Sequence, residues 1–458
     1  MRKKSISSLS NSKNNIQLKR TLGAFDLVML GVGAIIGTGI FILPGTVAAL
    51  HAGPAIVYSF IIAAIVCSFA AMCYSEFASS VPVTGSAYTY SYIVFGEVVA
   101  WIVAWALVLE YGLAAASVAT GWSAYFVSLL EGFQIFIPVA LTGPYNPDEG
   151  TFINLPAMII VLALALLLTF GLQESNRLNK IMVFIKVSVI LLFLIVGVFY
   201  VTPDNWQPFM PFGWDGVFTG AALVFFAFLG FDAVSSAAEE VKNPQRNMPI
   251  GIIGSLLVCT ALYVAVSLVL TGMVSYKHLN VSDPVSFAME LVNQNWIAGF
   301  ISLGAIAGMI TVILVLLYGG TRLLFALGRD QLLPGFMSHV SKNRNTPVIS
   351  TWIFSILIAI CAGLLPLSQL AEMANMGTLL AFTIVSIGVI FLRKDKSAPQ
   401  SGFRVPLFPV IPIVSFILCI FLITKLSVDT LLASGVWFFI GLVIYFSYGR
   451  SRSHMNKR

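Results

Sequence analysis

Runs of about 20 apolar residues recur along the whole chain, each long enough to cross a hydrocarbon core of roughly 30 Å. Short polar or charged stretches separate them, and no polar linker or low-complexity segment divides the chain. The pattern predicts twelve helices, over 24–50, 54–80, 92–128, 153–172, 178–201, 215–239, 248–273, 296–327, 348–366, 371–392, 406–426 and 430–448. The third and eighth runs are long enough to carry loop residues. Within the first run lies Gly31-Val32-Gly33-Ala34-Ile35-Ile36-Gly37-Thr38-Gly39-Ile40-Phe41. Each glycine in a helix interior costs roughly 1 kcal/mol relative to alanine. In lipid, backbone freed by a weakened helix is tolerated only where protein or a polar cavity satisfies it. This run therefore reads as a helix built to break at mid-membrane, offering its backbone to something polar.

Composition agrees. Of the 458 residues, 58% are hydrophobic and only 10% charged, against about 25% charge in a soluble domain. The chain reads as an all-α integral membrane protein. Met1 to Arg20 is basic and rich in Ser and Asn, with no apolar h-region, so it reads as a cytosolic tail and not a cleaved signal. Lys and Arg gather on one side of the twelve predicted spans. Twenty-two of 25 fall in the tails or in the loops after spans 4, 6, 8 and 10. Lys277 and Lys425 lie on the other side, and Lys186 lies inside a span. The positive-inside rule then puts both termini in the cytosol of a multi-pass cell-membrane protein. All five cysteines fall in predicted spans, so no disulfide framework is implied. The four histidines form no metal-spaced cluster. No cofactor, metal or nucleic-acid partner is expected; the lipid bilayer is.

Two blocks of similar length follow from the spans. The tail 1–23 precedes a first five-helix unit, 24–201. A second unit, 215–392, is inverted relative to it because five is odd. Helices 11 and 12 (406–448) and a tail (449–458) lie outside the repeat. The sixth span is also interrupted, at Phe226-Ala227-Phe228-Leu229-Gly230-Phe231-Asp232. Interrupted spans at matching places in two halves point to a transport site near the bilayer midplane. Close packing is the alternative, since Gly33 and Gly37 also form a GxxxG pair. The spacing is not that of a nucleotide loop, and no strand precedes it.

Charges inside spans are functional by default. Lys186 sits in Val183-Phe184-Ile185-Lys186-Val187-Ser188-Val189; the alternative is a stem that snorkels toward Lys180. Glu110, within the third span, is the best carboxylate for a proton, with a structural hydrogen bond as its alternative. Asp232 fits a cap on the freed backbone better than a substrate contact. Glu76, Glu97, Glu239, Glu240 and Arg246 stand near cytosolic span ends, as inner-gate ion pairs or as solvated helix ends.

The stretches Gly31 to Pro44, Tyr74 to Tyr88, Phe225 to Pro249, Arg322 to Pro334 and Asn375 to Leu379 together resemble the amino acid–polyamine–organocation superfamily. Within it, the chain is similar to bacterial relatives of the cationic amino acid transporters. The resemblance covers essentially the whole chain. It implies twelve helices on the LeuT-like five-plus-five inverted repeat, broken in helices 1 and 6, and amino acid import usually coupled to protons. It also implies that the amides of Thr38 and Gly39, with Ile40 adjacent, bind the substrate carboxylate at a half-helix N-terminus. Carbonyls of Ile35, Phe226 and Leu229 would hold the ammonium. Phe231, then Phe226, would act as an aromatic gate, unless they are packing aromatics. Lys186 would replace the sodium ion of sodium-coupled members, giving proton coupling or no sodium dependence.

The same resemblance puts Leu316 at the pocket floor. A leucine there excludes a long cationic side chain. The expected substrates are therefore neutral, small to branched-chain aliphatic amino acids, in place of lysine or arginine. An exchanger on the same fold is the nearest rival. A membrane enzyme would need a nucleophile or metal set at one depth, and a channel would need polar pore rings; the sequence offers neither.

Overall fold

The computed structural model describes residues 21–80, 86–170, 176–236, 240–341, 346–394 and 402–453. The expected tails 1–20 and 454–458, and Glu239, lie outside the described residues. Among the described residues there is no β-sheet, only three isolated bridges. Seven helices are long and apolar enough to cross a membrane, and five shorter apolar helices accompany them. Each of the twelve predicted spans overlaps one of these.

The site depends on fifteen helices. They are α1 (Ala24–Ile35), α2 (Thr38–Phe41), α3 (Ile56–Ser80), α4 (Glu97–Gly132), α5 (Leu155–Thr169), α6 (Asn176–Gly197), α7 (Gly213–Val224), α8 (Ala233–Ser236), α9 (Pro244–Met273), α10 (Pro284–Leu291), α11 (Asn295–Arg329), α12 (Val348–Leu364), α13 (Leu367–Lys394), α14 (Val410–Ile423) and α15 (Val428–Ile444). The first predicted span is not one helix. It divides into α1, α2 and a turn over Leu43–Val47. The third begins at Glu97 because Gly96, at φ +94°, separates it from a short helix over Ser86–Val94. Only a residue without a Cβ adopts that conformation cheaply.

The long helix α4 is the central post. It packs on α11 and α13, and α9 packs on α1 and α3. The indoles of Trp101 and Trp105 fix α15 to α4 by donating to the carbonyls of Gly441 and Trp437, at 2.9 Å each. Trp437 returns a bond to the Trp105 carbonyl at 3.1 Å. Each indole thereby satisfies its one polar atom while burying its large apolar face.

Both ends of the described chain lie at one face of the bundle. Ser453 donates to Glu97, at the start of α4, over 2.7 Å. Leu22 pairs with Val241, just before α9. The far end of α4 lies on the opposite face, where Ser128 donates to Asp283, the residue before α10.

Two of the span-end carboxylates, expected as gate pairs or as solvated helix ends, are buried and bonded. Glu76 receives Arg393 through two bonds, of 2.6 and 2.7 Å, and the Val405 amide at 2.6 Å. Glu97 accepts from Tyr92, Tyr445 and Ser453. Changing Glu76 to Ala strands the guanidinium and an amide together. The broken pair should cost about 3 kcal/mol, visible as a lower Tm in detergent; an unchanged Tm would mean the clasp holds no weight.

Candidate functional site

The break in the first span is made by two residues. The last α1 bond runs from the Ile36 amide to Val32 at 3.0 Å. Ile36 then turns extended (ψ 102°), and Gly37 adopts φ −140°, ψ −139°. α2 starts at Thr38, so the amides of Thr38 and Gly39 are first-turn amides with no acceptor inside their own helix. The second break follows α7. A 3-10 turn over Phe225–Phe228 ends at Leu229 (ψ 144°), and Gly230 follows at φ +106°.

The two breaks lie against each other at two points. A Cβ on Gly39 would fall 2.5 Å from the Cα of Ala227, and one on Gly230 would fall 3.0 Å from the Ala34 carbonyl carbon and oxygen. Each break thus needs its glycine because the other break's backbone occupies the space.

Side chains from other helices hold the freed carbonyls. Tyr263 of α9 donates toward both breaks, 2.6 Å from the Ala227 oxygen and 3.2 Å from that of Ile35. Asn375 of α13 donates to Ala222 at 2.8 Å and Leu223 at 3.3 Å, just ahead of the second break. Tyr125 of α4 donates to Phe41 at 2.9 Å. Lys186 of α6 is fully buried and donates to the Gly33 carbonyl at 2.9 Å, while its stem lies on Gly308 of α11. It reaches into the bundle and does not snorkel.

The other expected site residues fall as follows. Thr38 and Ile40 are buried, and the Thr38 methyl presses on Gly121 of α4. A Cβ on Gly37 would lie 3.6 Å from Val312 of α11. Leu316 is one turn along the same face from Val312 and buried. Phe226 and Leu229 are buried within the second break. Phe231 is fully buried among aromatic rings, with centroids 5.9 Å from Tyr74 and 5.0 Å from Phe382. Glu110 is buried beside Thr378 and Asp232, and Tyr111 donates to Asp232 at 3.4 Å. No group that could hold a metal occurs among the described residues.

Sequence reasoning assigned no role to Tyr263 or Tyr125, and it quoted Asn375 only within a motif. Each is a polar group in a buried apolar helix face, which is their one sequence signal. The partner they meet is backbone, and backbone carbonyls leave no trace in the side-chain pattern.

Paired helix breaks with their backbone bridged inside an apolar bundle make a candidate site in a multi-pass membrane protein. Comparison makes the class specific. The amino acid permease family profile matches residues 22–448, and the chain belongs to that family, within the amino acid–polyamine–organocation superfamily. It is a transporter and not an enzyme. It is 53% identical to the methylthioribose transporter of Bacillus subtilis over 100% of this chain and 99% of that protein. It is 52% identical to the branched-chain amino acid permease BcaP of the same organism, with the same coverage. It is 39% identical to the vacuolar cationic amino acid transporter 4 of Arabidopsis thaliana, over 86% of this chain and 67% of that protein.

Tyr263→Phe removes the one hydroxyl that serves both breaks and leaves two buried carbonyls short of a donor. The loss should be about 1–3 kcal/mol of stability, with a weaker thermal shift on adding substrate. Equal melting and an equal ligand shift would remove Tyr263 from the site.

Proposed function

We propose that this amino acid permease imports neutral, small to branched-chain aliphatic L-amino acids by alternating access, as a proton symporter. Twelve spans on the LeuT-like five-plus-five inverted repeat, with both termini cytoplasmic, go with that reading. The two repeats are 24–201 and 215–392. The observation that carries it is the contact of the two breaks at Gly39–Ala227 and Gly230–Ala34. It brings a half-helix N-terminus beside unwound carbonyls, and a zwitterion needs both. Thr38 and Gly39, with Ile40, would take the carboxylate, because a helix N-terminus carries partial positive charge. Carbonyls of Ile35, Phe226 and Leu229 would take the ammonium. The Ile35 oxygen has a second lone pair beyond the one facing Tyr263. Phe231 and Phe226 would gate the site.

Leu316 supports an apolar side-chain pocket, as does the relative named for branched-chain amino acids. Lys186 supports proton coupling: its ammonium sits between the first break and α11, where a bound sodium ion would otherwise supply the positive charge. Glu110, beside Asp232, is the carboxylate candidate for the same role.

A second reading has its own support. The relative named for methylthioribose is as similar as the branched-chain permease. That ligand is an uncharged thioether sugar, so it would not use a site built for a carboxylate and an ammonium. Both ligands and all twenty amino acids belong in one thermal-shift screen on purified protein. A ligand at 100 times its Kd should stabilise by about 2.7 kcal/mol. We expect shifts from valine, leucine and isoleucine. Shifts from methylthioribose alone, or from lysine and arginine alone, overturn the substrate assignment. Leu316→Ser should widen the response toward larger or cationic amino acids, and an unchanged profile would take Leu316 out of the pocket.

Lys186→Ala should abolish uptake driven by an acid-outside gradient in proteoliposomes. Full gradient-driven uptake in that variant would return Lys186 to a purely structural role. Equal counterflow with and without a gradient would favour exchange over symport.

A further inference from the structure

Asp283 precedes the short helix α10 in the position where an acidic residue ordinarily caps a helix, yet its side chain caps nothing there. The carboxylate turns away to α4 and accepts a 2.7 Å bond from Ser128. It is nine-tenths buried. The charged groups around it are like-signed, Glu131 on α4 and Glu290 on α10. No ion pair to it exists among the described residues. The same junction reaches the first span. Tyr125, one turn before Ser128, donates to Phe41 at the end of α2 and faces the backbone of Val285 and Ser286 at the start of α10. Pro284 sits so close to Gly45 that a Cβ there would lie 2.4 Å from it. Ser128, Asp283 and Phe41 therefore tie α4, α10 and the outer half of the first span at the face opposite the chain ends.

We propose that Asp283 and Ser128 form a proton-operated latch that closes this lip over the paired breaks, making Asp283 a further coupling residue for transport. The inference rests on the reading of this face as extracellular and of the protein as an importer. Ionised, the carboxylate is held out of water beside two other carboxylates, which works against the closed joint. Protonated, it keeps a hydrogen bond with the serine hydroxyl and loses the repulsion. Burial is the largest cause that pushes its pKa up from 3.8 to about 6, and Glu290 and Glu131 add to it. The sign follows: a carboxyl whose pKa is raised in the latched state favours that state as pH falls through about 6, and opposes it above.

The test is initial uptake of leucine into proteoliposomes as external pH is varied, in two series, one with no pH difference across the membrane and one with a fixed acid-outside difference. Wild type should gain several-fold in rate on acidification, with a midpoint near 6. Asp283→Asn should flatten that profile. Ser128→Ala removes a donor to the ionised form and should move the midpoint up by about 0.5 unit, whereas Glu290→Gln removes repulsion and should move it down by a similar amount. Opposite shifts are not expected from loss of fold, and they carry the test if Asp283→Asn is unstable. A midpoint that persists in Asp283→Asn, or fails to move in opposite directions, overturns the latch. If uptake ignores the pH difference but the midpoint shifts as stated, symport fails and the latch stands. If no wild-type inflection occurs while the gradient drives uptake, the latch fails and symport stands.

Discussion

Contact between two interrupted helices at backbone distance is the constraint on which the rest of this bundle depends. Ala227 occupies the space over Gly39, and the Ala34 carbonyl occupies the space over Gly230. Neither glycine tolerates a side chain without parting the breaks. The apolar environment makes the arrangement demanding, because a backbone group freed in lipid must find a partner inside the protein. The central post α4, with α9 and α11, supplies those partners or the space they need. Gly121 accommodates Thr38, Gly308 accommodates the Lys186 stem, and Tyr263 reaches both breaks at once.

Buried polar groups in this protein therefore divide by what they serve. Glu76 with Arg393, Glu97 with its three hydroxyls, and the three indoles between α4 and α15 fix helices to one another through bonds that do not involve the breaks. Tyr263, Asn375, Tyr125 and Lys186 all donate to carbonyls at or next to them. A neutral donor that meets a carbonyl (Tyr263, Asn375 or Tyr125) can let go and be replaced by a substrate ammonium or a water without stranding a charge; Lys186, a buried cation, is the exception. A carboxylate–guanidinium clasp cannot, since separation leaves both ions buried. Motion during transport is accordingly expected at the carbonyl-bound set, and rigidity at the ion-paired set.

Much of this was legible before any coordinates. Each predicted apolar run overlaps a helix, seven of them long enough to cross a membrane, and the glycines at 37, 39 and 230 mark both interruptions. Those signals are local: they depend on one residue's missing Cβ or on the period of one segment. The division of the first span into α1, α2 and a further turn was less visible, because Ile36 breaks the helix while being as apolar as its neighbours. Lys186 was legible as a buried charge, but its acceptor was not, since a carbonyl belongs to every residue alike. Phe231 was expected beside a substrate; its packing on Tyr74 and Phe382 unites three helices far apart in sequence, a coincidence no single segment encodes.

Two relatives sharpen what such a site can discriminate. Two transporters named for chemically different ligands share about half of this chain's residues, so overall identity does not select the ligand. On the proposed reading, the backbone wall recognises the zwitterion and side chains near Leu316 recognise the rest. Discrimination by those two parts differs in size. A site whose hydrogen-bonding groups are left unpaired by the wrong ligand rejects it by a factor of about 10⁴ or more, whereas an apolar pocket separates neighbours differing by one methylene by only about 10–200-fold. An uncharged sugar would leave the amides of Thr38 and Gly39 unpaired in a dry site and be rejected strongly. Valine, leucine and isoleucine would be told apart weakly. Ligand class is then fixed by backbone that the glycines expose, and can change only if that backbone is re-paired by new side chains, while preference within the class follows from single substitutions in the pocket.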